Sequence, residues 1–335
     1  AWILEDAGKA PGFLIGGIPA NFGESARYGE SEYFVVEADE YDTAFFDKRA
    51  KFVHYRPRTL ILNNLEYDHA DIYKDMDAIL WQFHQLLRTV PGRGRIIING
   101  ADENIRQLVD QGCWSPIETF STADDADWTA YFGDKVERHI GMRGPDGSAA
   151  EARWKIGGLH NLENALAAVA AAASAGISLE QAVDAMSRFD GVKRRMERTA
   201  TVADIAIYDD FAHHPTAIAK SIKSMRRRNP GHRVIVAIEP RSNTMKLGVH
   251  NDQLADSLKD ADLVWMFRPE GMRDDFDASL QSLGNKLRIF DDYDRLVNDM
   301  STRVLGGDRV IFMSNGGFGS ARQTLTALLQ RTRSG

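Results

Sequence analysis

Cysteine is nearly absent: Cys113 is the one thiol among 335 residues. A single thiol excludes an intramolecular disulfide and any zinc site built on cysteine pairs, and it fits a reducing, cytoplasmic home better than a secreted one. No apolar run approaches the ~20 residues that a membrane helix needs, so no membrane partner is expected. Basic charge is not in excess either, since 41 Lys and Arg stand against 48 Asp and Glu for a net charge of -7. That balance argues against a nucleic-acid binder, which usually carries a basic surface, and any polyanion must be gripped locally. Repeats and low-complexity tracts are missing, and nothing in the chain has the Gly-Lys-Ser/Thr ending of a loop that cradles phosphates.

What is present is a globular composition, 43% apolar and 27% charged, over a length that suggests two domains of ~150 residues each. Short β-rich apolar runs alternate with helical spacing, the rhythm of an α/β fold with largely parallel sheets. The runs that read as strands are Tyr33 to Val36, Thr59 to Leu62, Arg95 to Ile98, Val234 to Ile238, Leu263 to Phe267, Leu287 to Phe290 and Val310 to Met313. Between Cys113 and Lys155 the pattern changes to short alternating pieces around a Gly144-Pro145-Asp146-Gly147 turn, which predicts a small antiparallel sheet appended to the first domain. An alanine-rich helix follows from Asn161 to Ala175, and the domain boundary is expected near Gly191 to Arg195. Ala1 to Gly8 reads as the last turns of a helix closed by glycine, so the chain is expected to begin inside a helix.

In parallel sheets ligands gather at the carboxyl ends of strands, so the residues after each run carry the chemistry. The first run ends in Glu37-Ala38-Asp39-Glu40-Tyr41-Asp42 and the second in Asn63-Asn64-Leu65-Glu66-Tyr67-Asp68-His69. Two such ends, expected on neighbouring edges of one sheet, offer carboxylates and an imidazole suited to a hard divalent ion such as Mg²⁺. The other reading is a solvated acidic loop capping helix starts, but Glu37 with His69 favours the metal. His160 and Asn164 lie four apart at the start of the alanine helix, on one face that could meet a planar ligand such as adenine. Asn161 as an ordinary N-cap and His160 as a structural histidine is the competing reading. Arg195 sits in a basic cluster at the boundary, where a guanidinium can reach a γ-phosphate. Asp210 ends a strand and could hold a ribose hydroxyl or serve as a cap. Glu239 to Lys246 follows the next strand, with Arg241, Asn243, Thr244 and Lys246 as a grip for a carboxylate-bearing substrate. Ser314 to Gly319 is a glycine-rich turn after the last strand.

In this order the segments resemble the Mur ligase family, which joins amino acids or peptides to UDP-N-acetylmuramate derivatives in making bacterial cell wall. The likeness runs from Trp2 to about Gln330 and is carried most specifically by Glu239 to Gly248 and Ser314 to Gly319. It implies a central ATP-binding domain at 1–192, truncated before its phosphate loop, and a C-terminal Rossmann-like ligase domain at 193–335. It implies ATP and Mg²⁺ as cofactors, with Glu37 and His69 on the metal. His160 and Asn164 would lie on the adenine side of ATP, Arg195 on the phosphates and Asp210 on ribose. His213 and the stretch Arg241 to Lys246 would read the incoming peptide. The branch it resembles adds the ready-made tripeptide L-alanyl-γ-D-glutamyl-meso-diaminopimelate to UDP-N-acetylmuramate in peptidoglycan recycling; addition of L-alanine alone, or a non-catalytic binding module, are the alternatives.

Two departures from the family pattern stand out. The Gly-Thr-His-Gly-Lys-Thr phosphate loop and the domain holding the UDP-sugar are missing, so this piece by itself is expected to be inactive. Where some relatives carry a carbamylated lysine this chain has His84, which leaves the ligation of a second metal open. A metal-dependent hydrolase using Asp68, His69, His213 and His214 is a third reading; it predicts hydrolysis without ATP. The oligomeric state is not legible.

Overall fold

The computed structural model describes residues 1–67, 72–123, 125–241, 251–272 and 276–333. His69 and Asp68 lie outside the described residues, as do Asn243, Thr244 and Lys246. The chain divides into two compact units, Ala1–Asp190 and Gly191–Gly335.

Unit 1 is built on a six-stranded sheet. Strands β6 (Thr59–Leu62), β7 (Arg95–Asn99), β8 (Ile117–Ser121) and β9 (Trp128–Phe132) are mutually parallel, while β10 (His139–Arg143) and β11 (Ala149–Arg153) continue the same sheet antiparallel. The antiparallel strands foreseen between Cys113 and Lys155 are therefore an extension of the main sheet. Strand β7 shows why the sheet is covered on both faces. Successive side chains alternate sides: Ile96 and Ile98 pack with Leu80 and Leu86 of helix α2 (Met76–Leu87) and with Leu108 of α3 (Glu103–Asp110). Ile97 faces the other way, toward Leu162 and Leu166 of α4 (Leu159–Ala173) and the neighbouring α5 (Leu179–Ser187). Such two-sided burial is what a continuous apolar run encodes.

The expectation that the first two strand ends share one sheet is corrected. Phe34–Val36 (β3) pairs in a separate three-stranded sheet, parallel to β1 (Gly12–Leu14), which in turn pairs with β2 (Ala26–Arg27). Between β3 and β6 the chain makes a separate hairpin, β4 (Asp42–Ala44) with β5 (Asp47–Ala50). The first helix, α1 (Trp2–Asp6), is followed by Gly8 at φ +72°.

Unit 2 is a doubly wound sheet of order β12-β13-β17-β14-β15-β16. The strands are Glu197–Val202, Ile205–Asp210, Arg309–Met313, Val234–Ile238, Leu263–Phe267 and Leu287–Phe290, and all but β12 are parallel. Val234, Val236 and Ile238 pack against α6 (Pro215–Arg228) and α7 (Asn251–Leu258) on one face. Ile235 and Ala237 pack against α9 (Tyr293–Arg303) and α10 (Ala321–Arg333) on the other; the short α8 is Phe276–Ser279. The mixed α/β class read from the sequence, with its Rossmann-like second half, is the fold observed.

Candidate functional site

In unit 1 the carboxyl ends of β1 and β3 come together. Parallel pairing sets Leu14 beside Val36, and the next residue but one on the first strand meets the next on the other. Gly16 donates its N–H to Glu37 Oε2 at 2.8 Å. Glu37 is otherwise exposed, and a carboxylate has acceptor capacity beyond that one N–H.

The end of β6 is fixed from two directions. Asp102 caps α3 by accepting the Ile105 N–H at 3.0 Å, and its second oxygen accepts the Leu65 N–H, also at 3.0 Å. Asn104 closes the pair by donating to the Leu65 carbonyl at 2.7 Å. Asn63, the first residue past β6, donates its side-chain amide to Asn164 of α4. Asn164 is exposed, so the strand end and the helix start meet at an accessible pair of amides. Tyr67 donates to the carbonyls of Tyr73 at 2.9 Å and Lys74 at 3.3 Å. Tyr73 in turn donates to the Glu40 carbonyl, which joins this loop to the acidic run after β3. Burial, reinforced by the charges of Glu40 and Asp42, pushes the Tyr73 phenol up to about 12. The two acidic strand ends are thus linked, although they belong to different sheets.

His160 is half-buried one turn ahead of Asn164 on α4. The N-cap of that helix is Gly158 at φ +100°, a conformation that glycine tolerates and side chains do not, rather than Asn161. Asn161 instead donates to the Gly157 carbonyl at 2.7 Å. The Gly158 N–H is taken by Glu137, 2% exposed, at 2.6 Å, so the antiparallel extension anchors the helix start. His84 lies beside Trp114, with ring centroids 5.7 Å apart.

Unit 2 opens on a sharp turn in which Arg194 and Met196 adopt φ of +59° and +51°. Both Arg194 and Arg195 lie over the ring of Phe211, at 5.3 and 5.1 Å. Arg195 is exposed. Arg194 is tethered: it donates to the Ser314 carbonyl at 2.8 Å and to that of Gly316, and its Nε stands 3.5 Å from Asp209, which Arg322 also approaches at 3.2 Å. Of the two uses expected of Asp210, a ribose ligand or a cap, its surroundings resemble the second. Asp210 is 3% exposed, accepts the Ser221 hydroxyl at 2.6 Å and the Ala212 N–H at 3.4 Å, and so ties the end of β13 to α6. Burial raises its pKa, opposed by the Ser221 hydrogen bond and the charge of Arg195. His213 sets its Nδ1 3.0 Å from the Phe211 carbonyl, and His214 caps α6 by accepting the Thr216 N–H at 3.3 Å.

At the ends of β14 and β17 a second buried acid appears. Glu239, 2% exposed, accepts the Ser314 hydroxyl at 2.6 Å on one oxygen and the Tyr293 hydroxyl on the other. Burial and that hydrogen bond raise the Tyr293 pKa. Arg241, exposed, runs across Gly316. Asn63 and Glu239 stood in the strand-end segments read from the sequence but were given no role of their own, and Asp102, Arg194 and Tyr293 were not singled out. Asp102 had a readable signal, an Asp just before a helical run; Tyr293 had none, because its partner lies 54 positions away.

Comparison with known proteins places these two halves in one family. The Mur ligase middle domain matches residues 17–172, and the Mur ligase glutamate ligase domain matches 194–316. The chain belongs to the Mur ligase family, ATP-dependent ligases that form carbon–nitrogen bonds. Among its relatives, a UDP-N-acetylmuramate–L-alanyl-γ-D-glutamyl-meso-2,6-diaminoheptandioate ligase of Haemophilus influenzae is 42% identical over 97% of this chain and 71% of its own length. The ligase of the same name from Escherichia coli is 44% identical over the same shares. A solved murein peptide ligase from Psychrobacter arcticus superposes with a TM-score of 0.73 at 40% identity, over 98% of this chain and 73% of that one.

Proposed function

We propose that the protein joins the tripeptide L-alanyl-γ-D-glutamyl-meso-diaminopimelate to UDP-N-acetylmuramate, with ATP as the activating substrate, in the cytoplasm. The observation that carries this reading is identity of 42% and 44%, sustained over 97% of the chain, to two ligases named for that reaction. A UDP-N-acetylmuramate–L-alanine ligase from Desulfitobacterium hafniense reaches 28% over 96% of the chain, which favours the tripeptide over the single amino acid.

The muramyl carboxylate attacks the γ-phosphorus of ATP, and ADP leaves. The peptide amine then attacks the acyl carbon, loses its proton, and phosphate leaves through a tetrahedral intermediate. The protein supplies position and charge neutralisation rather than a nucleophile of its own. Asn164, held by Asn63, and His160 would contact the adenine. Arg195, exposed at the head of unit 2, is available to the phosphates. Arg241 offers a planar guanidinium suited to a carboxylate of the peptide, with His213, Asn243, Thr244 and Lys246 as further contacts; Asp210, turned inward, would support the ribose side through the backbone it fixes.

The donor chemistry fits Mg²⁺: Glu37 is an exposed carboxylate with one oxygen held by a backbone N–H, as a ligand for a hard cation should be. Glu37 with His69 would hold the ion, which when bound neutralises phosphate charge. The test is phosphate release by the full-length protein, phosphate loop and sugar-nucleotide domain included, given UDP-N-acetylmuramate and either tripeptide or L-alanine. Turnover with tripeptide well above that with L-alanine is expected; equal or better turnover with L-alanine would move the protein to the alanine-adding branch.

A further inference from the structure

Glu239 is an acid taken out of water at the end of β14, and both of its oxygens are filled by hydroxyls from distant parts of the chain. Ser314 comes from the end of β17 and Tyr293 from the start of α9. Ser314 Oγ also accepts the Gly316 N–H at 2.9 Å, while Arg194 draws in the Ser314 and Gly316 carbonyls from the other side. The loop is therefore clamped between a buried carboxylate and a guanidinium. Tyr293 cannot swing away, because its ring stacks on Phe267 at 3.9 Å and 8° and meets Phe318 edge-on at 5.9 Å and 86°. Gly316 carries the consequence outward. A Cβ there would sit 2.7 Å from Arg241 Cδ and 2.8 Å from its Nη1, so the arginine lies flat against bare backbone. Burying an unfilled carboxylate is costly, and a helix cap would need far less than this convergence of three elements on one loop.

We infer that Glu239, through Ser314 and Tyr293, is a positioning residue for peptide recognition: it fixes the Ser314–Gly316 loop and thereby the line along which Arg241 presents its guanidinium. This rests on the peptide-ligating reading above. In the full-length protein, Tyr293→Phe and Ser314→Ala each remove one hydroxyl without opening a large cavity. Each should raise the KM for tripeptide roughly tenfold, the scale of one lost hydrogen bond to a charged group, while the KM for ATP stays within about twofold. Glu239→Gln, which keeps shape and part of the bonding, should fall between wild type and Ser314→Ala. Equal shifts in both KM values, or none in either, would overturn the inference while leaving the function intact. If the wild-type protein ligates no peptide, the functional reading fails, and backbone hydrogen exchange at Gly316 decides the remainder. Faster exchange in Tyr293→Phe and Glu239→Gln would uphold the clamp, and unchanged exchange would refute it.

Discussion

Both units end strands in carboxylates, yet the two sets behave as different materials. Glu37 of unit 1 is exposed and holds one backbone N–H, at Gly16. In unit 2, Glu239 and Asp210 are 2% and 3% exposed and have their oxygens filled by hydroxyls and backbone. A carboxylate with open lone pairs at an exposed strand end can serve a ligand, whereas one with its acceptors filled serves the frame. Glu37 and Glu239 each stand one residue past a strand, so position alone does not separate the two uses.

The sharpest way to break this contrast is Glu37→Gln. If Glu37 faces a cation, the substitution should lower kcat of the full-length ligase on the order of a hundredfold or more and move the magnesium dependence to higher concentration. Thermal stability should hardly change, since one exposed hydrogen bond is at stake. A loss of stability with an unaltered magnesium titration would place Glu37 among the framework acids instead. A smaller effect, roughly tenfold in the KM for ATP, is expected of Asn164→Ala. Asn63→Ala should produce a similar rise, and the double variant should be less than additive because the two amides act as one unit. Steady-state kinetics over an ATP series checks this, and full additivity would mean that the pair has no shared ligand.

Asp102→Ala tests the frame of unit 1. The residue caps α3 and holds the Leu65 N–H, so its removal should cost about 1–2 kcal/mol of stability, read from denaturant melts. Because Leu65 lies on the loop between Asn63 and Tyr67, a modest rise in the KM for ATP should accompany the loss. A stability change with unaltered kinetics would show that the loop keeps its shape without the cap.

Much of the layering was legible in the sequence because it depends on local pattern. The run Thr59 to Leu62 and the runs Val234 to Ile238, Leu263 to Phe267 and Leu287 to Phe290 are strands over those same residues. The separation of β3 from β6 into two sheets was not legible, since the choice of pairing partner is made between segments far apart in the chain and is not written in the local pattern of either run. Site residues divide in the same way. Glu37 and Asn164 were found as polar residues at strand and helix ends, while the roles of Glu239, Tyr293 and Arg194 rest on partners dozens of positions away. Asp210 looked like Glu37 in sequence and proved to be its opposite, because burial is a property of the packed unit and not of the residue's neighbours along the chain.

Asp210 also supplies the smallest effect, one visible only as a dependence on pH. Burial raises its folded pKa above the ordinary carboxylate value of 3.8. Below that value the group is protonated in both states and contributes no slope. As pH rises past it the unfolded chain releases its proton first, so the folded state holds more protons and stability falls until the folded pKa is passed. Asp210→Asn keeps an acceptor for the Ser221 hydroxyl and removes the charge. The variant should therefore match wild type below the ordinary carboxylate value, to within a constant offset, and gain on it as pH rises from there to the raised folded value. Melting temperatures across that range provide the measurement. A difference that stays flat with pH would mean that Asp210 ionises as freely as an exposed acid, and would erase the contrast between the two units at this position.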